Sequence, residues 1–490
     1  MRTRERARLR AAALAICLLA FGCGSDGGEE ASDTTSSPGG PTSTGGVAGA
    51  LANTVKGENP ASWGVKDKKV TGPGGLTMDL SKCPSNWKDT GGITDTEIRF
   101  GASVPLSGSA AQYGGISAGM KAYFDHINAT EGGVAGKKLT IDIKDNGYEA
   151  ARGKATVDEL VETGNIFASA STVGTPIMLA VYDKLNEQCI PSLYTVSGHP
   201  AWGDTVNHPW TTGLWLPYTT EATLWADYIL EKYGPGTTVA ALAWNNDYGS
   251  LYKQVFTRVA KEKGLNFVKV ETHEGSAPNV TNEMTTLAST NADVFIGMTG
   301  VSYPIQALNY IAGSSWQPKE RIVSYTNNTA SVYKPAGAAA DGVLLVGGVK
   351  DILDPTFAEE PFIKTYRAVL EKAGLDYAAN GQIGQSATFA WPLVENLKRA
   401  AQLPGGLTRS NMMLAVRSYA AKHPMYFDGI TFEMNGAKDA FPIEGGSWVR
   451  YTIEPGKDVG TFKPIGKVAD ANGTTPQCNV WDGKECKTTS

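Results

Sequence analysis

From about Thr94 the chain alternates short, apolar, β-rich runs with longer segments whose apolar residues recur every three or four positions. An unbroken apolar run of this length predicts a buried strand, and a period near 3.6 predicts an amphipathic helix. The first run, Glu97-Ile98-Arg99-Phe100-Gly101-Ala102-Ser103-Val104, predicts a strand, followed by helix 114–128, strand 139–143, helix 150–162, strand 166–170 and helix 176–187. The rhythm pauses over 197–217, a stretch rich in Trp, Gly and Pro, and resumes with helix 220–233 and strand 239–244. A second series continues through helix 250–263, strand 266–270, helix 281–290, strand 294–298, helix 305–312 and strand 321–325. After a strand over 342–347 come three predicted helices, near 357–373, 383–401 and 409–420.

Strands that alternate with helices of about 10 to 15 residues imply parallel βαβ units. The predicted class is therefore α/β, with two Rossmann-like lobes built on parallel sheets. Ligands of open α/β sheets bind beyond the carboxyl ends of the strands. Two such edges set face to face make a cleft, and hinge closure of two domains around a ligand is a known switching mode. The three late helices must pack on an earlier lobe or form a third domain. A length of 490 residues accommodates two or three domains, because single cores stop growing at roughly 250 to 300 residues. Hydrophobic residues at 41% and charged residues at 19% exclude a wholly disordered chain and a multi-span membrane protein.

The first residues follow a different logic. Arg2, Arg4, Arg6, Arg8 and Arg10 form a basic region, and an apolar run of twelve residues, 11–22, follows it. This is the pattern of a secretory signal peptide. Twelve residues rise about 18 Å as a helix, short of a hydrocarbon core of roughly 30 Å. The run ends Leu19-Ala20-Phe21-Gly22-Cys23, which resembles the bacterial lipobox. That resemblance makes Cys23 the lipidated N-terminus of the mature chain, although Ala20 stands where the motif usually has Leu. The alternative is ordinary signal cleavage with Cys23 incidental. Residues 24–46 are nearly all Gly, Ser, Thr, Asp, Glu and Pro, the composition of a flexible tether. The leader carries five Arg and one Glu, so its removal takes the net charge from −5 to about −9. An acidic chain argues against a nucleic-acid partner, which requires clustered Lys and Arg.

Outside the leader and Cys23, four cysteines remain: Cys83, Cys189, Cys478 and Cys486. Exported thiols can pair, with three connectivities open for four cysteines. Disulfides formed by Cys83, Cys478 and Cys486 would staple the chain ends to the body, while Cys189 opens an apolar run and reads equally well as a buried free thiol. No Cys-x-x-Cys pair or His cluster suggests zinc. The segment Gly115-Ile116-Ser117-Ala118-Gly119 fits the Gly-x-Ser-x-Gly nucleophile elbow of α/β-hydrolases. An elbow must join a strand directly to a helix, whereas Ser117 falls inside the predicted helix, so the glycines read as helix packing positions. No phosphate-binding Gly-x-x-x-x-Gly-Lys-Ser/Thr loop is present in the sequence. An enzyme is not expected, nor a cofactor or a metal.

Five segments, in order, resemble the type I periplasmic binding proteins of the branched-chain amino acid type, the receptors of ABC importers. They are Phe100 to Gly108 with Gln112-Tyr113-Gly114; Asp145-Asn146-Gly147-Tyr148; Pro209-Trp210-Thr211-Thr212-Gly213; Asn246-Asp247-Tyr248-Gly249; and Gly429-Ile430-Thr431-Phe432. The resemblance covers roughly Thr94 to Lys467. It implies a Venus-flytrap arrangement with three crossings between lobes, near 213–218, 346–349 and 440–446. The implied divisions are a signal peptide (1–22), a lipidated cysteine with linker (23–60), an N-terminal extension (61–93), lobe I (94–215 plus 348–440), lobe II (216–347 plus 441–468) and a C-terminal tail (469–490).

The resemblance also implies site residues. Two strand-end loops of the first lobe, containing Ser171 and Thr172 and then Thr195, Val196 and Ser197, would hold the polar end of a solute. Tyr113 and Tyr248 would close over it from the two lobes, with Tyr303 as a further wall. Amino-acid binders carry a carboxylate after the strand 321–325 to pair the ligand ammonium, but this chain reads Thr326-Asn327-Asn328-Thr329. An ammonium buried without a charged partner costs several kcal/mol, as an order of magnitude. The expected solute is therefore a small polar molecule, an amide or a carboxylic acid at least as readily as an α-amino acid. The expected partners are that solute, ABC permease subunits and the membrane through the lipid anchor, with a monomer on the outer face of the cytoplasmic membrane or in the periplasm. A ligand-sensing receptor module working through a separate membrane partner is the alternative.

Overall fold

The structure, a computed structural model, describes residues 54–470, 480–482 and 484–487. The signal peptide, Cys23, the tether and Cys478 lie outside the described residues, as does the side chain of Cys486.

The first series is β1 (Glu97–Val104), α1 (Gly115–Thr130), β2 (Lys138–Asp145), α2 (Ala150–Glu162), β3 (Ala168–Ala170), α3 (Thr175–Glu187), β4 (Ser192–Thr195) and β5 (Thr211–Gly213). The second is α4 (Tyr218–Tyr233), β6 (Thr238–Trp244), α5 (Asp247–Glu262), β7 (Asn266–His273), α6 (Thr281–Ala288), β8 (Val294–Met298), α7 (Tyr303–Gly313), β9 (Glu320–Val323) and β10 (Leu344–Gly347). Then come α8 (Pro361–Lys372), α9 (Gly381–Gln385), α10 (Ala387–Gln402), α11 (Arg409–Arg417), β11 (Gly445–Thr452) and β12 (Thr461–Asp470).

Two sheets result. In the first, the order β2-β1-β3-β4-β5 is parallel throughout. In the second, β7-β6-β8-β9-β10 are parallel, and β11 and β12 are added antiparallel at one edge. Central strands such as β6 and β8 are buried along essentially their whole length, because helices cover both faces of a parallel sheet. That is why they read in sequence as unbroken apolar runs rather than as alternations.

The late helices form no third domain. The Tyr366 hydroxyl on α8 donates to the Gly119 carbonyl on α1 at 3.4 Å, and Asn396 on α10 donates to the Tyr194 hydroxyl on β4 at 2.9 Å. Both place late helices on the first lobe.

Three predicted elements differ. The strand 321–325 stops at Val323, and Tyr325–Asn327 turn into a 3-10 helix that brings Thr326 to the cleft. The helix 383–401 is broken at Ser386 into α9 and α10. The helix 409–420 ends at Arg417, and Ala420–Ala421 pair instead with Phe432–Glu433. Pro392 sits inside α10 and cannot donate to the carbonyl four residues back. The His423 ring takes that Thr388 carbonyl instead, at 3.1 Å.

The N-terminal extension forms three short antiparallel strands, Gly64–Lys66, Lys69–Thr71 and Thr77–Asp79. Its anchor corrects the cysteine expectation. Cys83 is bonded to Cys189, with 5.5 Å between Cα atoms, so Cys189 is not a free thiol. The Trp87 indole donates to the Cys189 carbonyl at 2.9 Å, and Arg409 donates to the carbonyls of Ile166 and Phe167, which secures the same corner of the lobe.

Candidate functional site

The carboxyl ends of the two sheets face each other across a narrow cavity lined by Tyr113, Tyr148, Val173, Gly174, Val196, Trp215, Tyr218, Trp244, Tyr248, Gly300 and Thr326. Six of the eleven are Tyr or Trp and none carries a charge.

From the first lobe, Asp145 at the end of β2 organises the entrance. Its carboxylate accepts the backbone N–H of Leu106 at 2.8 Å, that of Gly147 at 2.9 Å and the Ser107 hydroxyl at 2.6 Å, and pairs with Arg152. Burial opposes its charge, but these hydrogen bonds, led by Ser107, hold it well below the usual carboxylate range. One residue on, Asn146 Oδ1 accepts the N–H of Tyr148 at 2.8 Å while its amide donates to Ser103. This pins Tyr148 in a left-handed backbone, φ 62°, a conformation that non-glycine residues adopt at a cost. The Tyr148 ring passes over Gly174, where a Cβ would lie 2.9 Å from it. Glycine is required there for both its φ of +112° and that close approach.

From the second lobe, Trp244 ends β6 and Asn246 caps α5 by accepting the Gly249 N–H at 3.2 Å. That cap sets Tyr248 in the first turn, facing the cleft. The Tyr248 hydroxyl lies 2.5 Å from Ser324 Oγ and 3.0 Å from Thr326 Oγ1. The first passage between lobes supplies Trp215 and Tyr218. The Tyr218 phenol lies beside the hydroxyls of Ser197 and Thr175, which are 2.8 Å from each other.

Contacts across the cleft join the two lobes, among them the Ser109 hydroxyl donating to the Gly275 carbonyl at 3.1 Å. Tyr148 of the first lobe stacks on Trp244 of the second, with centroids 5.0 Å apart and planes 14° from parallel. The Tyr113 hydroxyl donates to the Thr326 carbonyl at 3.4 Å. Burial pushes Tyr218 up to about 12 and Tyr113 and Tyr248 further up, so the phenols stay neutral donors across the physiological range. Beneath the site, Glu221 on α4 is raised to about 8 by burial.

The structure thus brings Tyr113, Val196, Tyr248 and Thr326 together in the lining, with Ser197 directly behind Tyr218. Asn327 sits at its edge. A Cβ on the lining Gly300 would lie 3.9 Å from Asn327 Oδ1. The remaining expected residues are placed elsewhere. Thr172 Oγ1 turns back to Ser169 Oγ at 2.8 Å and Thr195 Oγ1 to Ser192 Oγ at 3.3 Å. Ser171 is fully buried at φ 50° and outside the lining. Tyr303 backs the wall instead of forming it: its hydroxyl donates to the carbonyls of Gly275 and Ala277, and its ring packs on His273 and Trp244. Sequence reasoning missed Tyr148, Trp215, Tyr218 and Trp244 as lining. Tyr148 closes a segment already singled out, and Trp215 and Tyr218 lie at the end of the Trp-rich pause where the chain first changes lobe. Those positions were the available signal.

Two parallel-sheet lobes enclosing one cavity at their strand ends define a two-lobed ligand-binding protein. The chain belongs to the periplasmic binding protein family, whose model matches residues 97–439. No curated protein matches it. Among solved structures it is similar to a branched-chain amino acid ABC transporter protein from Thermus thermophilus with bound valine, at 16% identity and a TM-score of 0.67, covering 77% of this chain and 97% of that one. A fatty acid ABC transporter substrate-binding protein from Thermomonospora curvata is similar at 18% identity and a TM-score of 0.64, over 81% and 95%. A solute-binding protein from R. palustris in complex with 4-hydroxybenzoate is similar at 15% and 0.63, over 76% and 97%. At such identities these likenesses speak for the fold.

Proposed function

We propose that this chain is the extracytoplasmic solute-binding component of an ABC importer, capturing a small polar solute by closure of its two lobes and delivering it to membrane permease subunits. The observation that carries the reading is the cavity at the strand ends, lined from both lobes and spanned by the Tyr148–Trp244 stack. A ligand touching both walls stabilises the closed arrangement, because only there can it make both sets of contacts. The solutes named for the similar structures, valine, a fatty acid and 4-hydroxybenzoate, share a carboxylate. Here the N-terminus of α3, at Thr175, lies beside the lining Gly174, and a helix N-terminus suits a carboxylate or an amide oxygen.

The lack of a charged lining residue weighs against a plain α-amino acid, whose ammonium would be desolvated without a partner. The signal-peptide pattern and the lipobox-like Leu19 to Cys23 support a carrier tethered through Cys23 to the outer face of the membrane, and a tethered carrier suits a monomer. The test combines thermal-shift screening against amino acids, amides, aromatic acids and fatty acids with small-angle scattering. A solute at about 100 times its Kd should stabilise by about 2.7 kcal/mol and reduce the radius of gyration. A binder that leaves the radius unchanged overturns the closure mechanism.

A further inference from the structure

The lining is more specific than a polar cleft. Around one cavity the rings meet at steep angles: Tyr113 and Trp215 at 68°, Tyr218 and Tyr248 at 89°, Trp244 and Tyr248 at 81°. Faces and edges alternate around the space, the arrangement by which aromatic rings surround another flat ring, since each negative face then meets a positive edge. Tyr148 adds a wall that costs backbone strain, because it is held left-handed by Asn146 to bring its ring over Gly174 and onto Trp244.

A second, independent feature lies at one end. Asn327 is fully buried, and its amide nitrogen donates to the Thr299 carbonyl at 3.0 Å, the Ser324 carbonyl at 3.2 Å and Ser324 Oγ at 3.1 Å. Those donations fix the orientation of the amide, and its Oδ1 has no partner within the protein. The place a Cβ on Gly300 would take, inside the lining, is 2.9 Å from the Tyr113 hydroxyl and 3.9 Å from both Asn327 Oδ1 and Thr326 Oγ1. Glycine at 300 keeps this polar corner open. A buried acceptor without a donor costs stability, so the corner suits a solute that brings an O–H or N–H to it.

We infer that the solute is a flat unsaturated ring bearing a hydrogen-bond donor and no cationic group, with Tyr148 and Trp244 selecting planarity and Asn327 selecting the donor. This inference rests on the solute-binding reading and narrows it. Six rings could also enclose a quaternary ammonium by cation–π attraction. The uncharged lining disfavours that occupant, since no carboxylate is there to balance it.

The test is calorimetric titration of the full chain with a matched series: 4-hydroxybenzoate, benzoate, trans-4-hydroxycyclohexanecarboxylate, glycine betaine and L-valine. The expected result is that 4-hydroxybenzoate binds at least 10-fold more tightly than its saturated counterpart and about 10-fold more tightly than benzoate, the value of roughly one hydrogen bond. Asn327→Ala should erase the preference over benzoate while keeping the preference over the saturated ring. Trp244→Leu should do the reverse, and the ligand series on the unaltered chain decides the matter should either variant fail to fold. The inference is overturned if the saturated ring, betaine or valine binds as tightly as 4-hydroxybenzoate, or if neither aromatic acid binds. Tight valine or betaine binding would sink the ring inference and leave solute binding standing. Failure of a wide solute screen to stabilise the chain at all would sink both.

Discussion

The carboxyl of Glu221, in the first turn of α4, accepts the backbone N–H of Tyr325 at 2.6 Å across 104 residues of sequence. It also hydrogen-bonds the Tyr252 hydroxyl. The bond anchors the turn that carries Thr326 and Asn327 to the helix that begins where the chain first enters the second lobe. A fully buried acid at this point links the polar corner of the cleft to the hinge.

The same residue makes stability depend on pH in an unusual direction. Burial raises the folded value of Glu221 to about 8 from an ordinary 4.5, so the folded state binds its proton more tightly than the unfolded chain. Its contribution is complete below about 4.5 and lost as pH rises through 8, at up to about 1.4 kcal/mol per pH unit. Glu221→Gln, neutral throughout, should flatten that part of the decline in urea-unfolding free energy between pH 5 and 8. An unchanged slope would show that Glu221 is ionised in the folded protein.

Gly300→Leu should abolish solute binding and leave the fold intact. The backbone at Gly300 is not left-handed, and the nearest atom to the added Cβ is the movable end of the Tyr113 side chain. The side chain therefore extends into the cavity. Circular dichroism should be unchanged while ligand-induced thermal shifts disappear.

Asn146→Ala removes the acceptor that holds the Tyr148 N–H and frees Tyr148 to leave its left-handed conformation. The expected result is about a 10-fold loss of affinity, as for one hydrogen bond and a lost ring contact. Stopped-flow fluorescence should find it mainly in a faster dissociation rate.

Opening the Cys83–Cys189 bridge by paired Cys→Ser substitution should lower stability by about 2 to 5 kcal/mol, read from chemical unfolding of the variant. The cross-link closes a separation of 106 residues, which restricts the unfolded chain strongly. Ligand affinity should be unchanged, because the bridge lies at the N-terminal extension and not at the cleft.

Much of the architecture was legible because parallel strands covered on both faces leave a simple trace. β8 appears as Val294-Phe295-Ile296-Gly297-Met298, buried at every position, and its boundaries were read to the residue. Boundaries failed where an interaction distant in sequence decided them. The strand expected to reach Tyr325 stops short because Glu221 captures the Tyr325 N–H into a turn. The cleft was half legible. Tyr113, Tyr248 and Thr326 were reached from motifs near strand ends, whereas Thr172 and Thr195 are polar residues in the expected loops whose hydroxyls satisfy their own neighbours.

The sequence by itself determined the α/β class, the two series of strand and helix and the absence of a carboxylate over 321–340. Those depend on periodicity and composition, which are local. Only the tertiary structure decided that Cys83 meets Cys189 and that Tyr148 lies on Trp244. Each joins residues nearly 100 or more positions apart, and no local pattern records which of many distant partners the packing of two sheets will bring into contact.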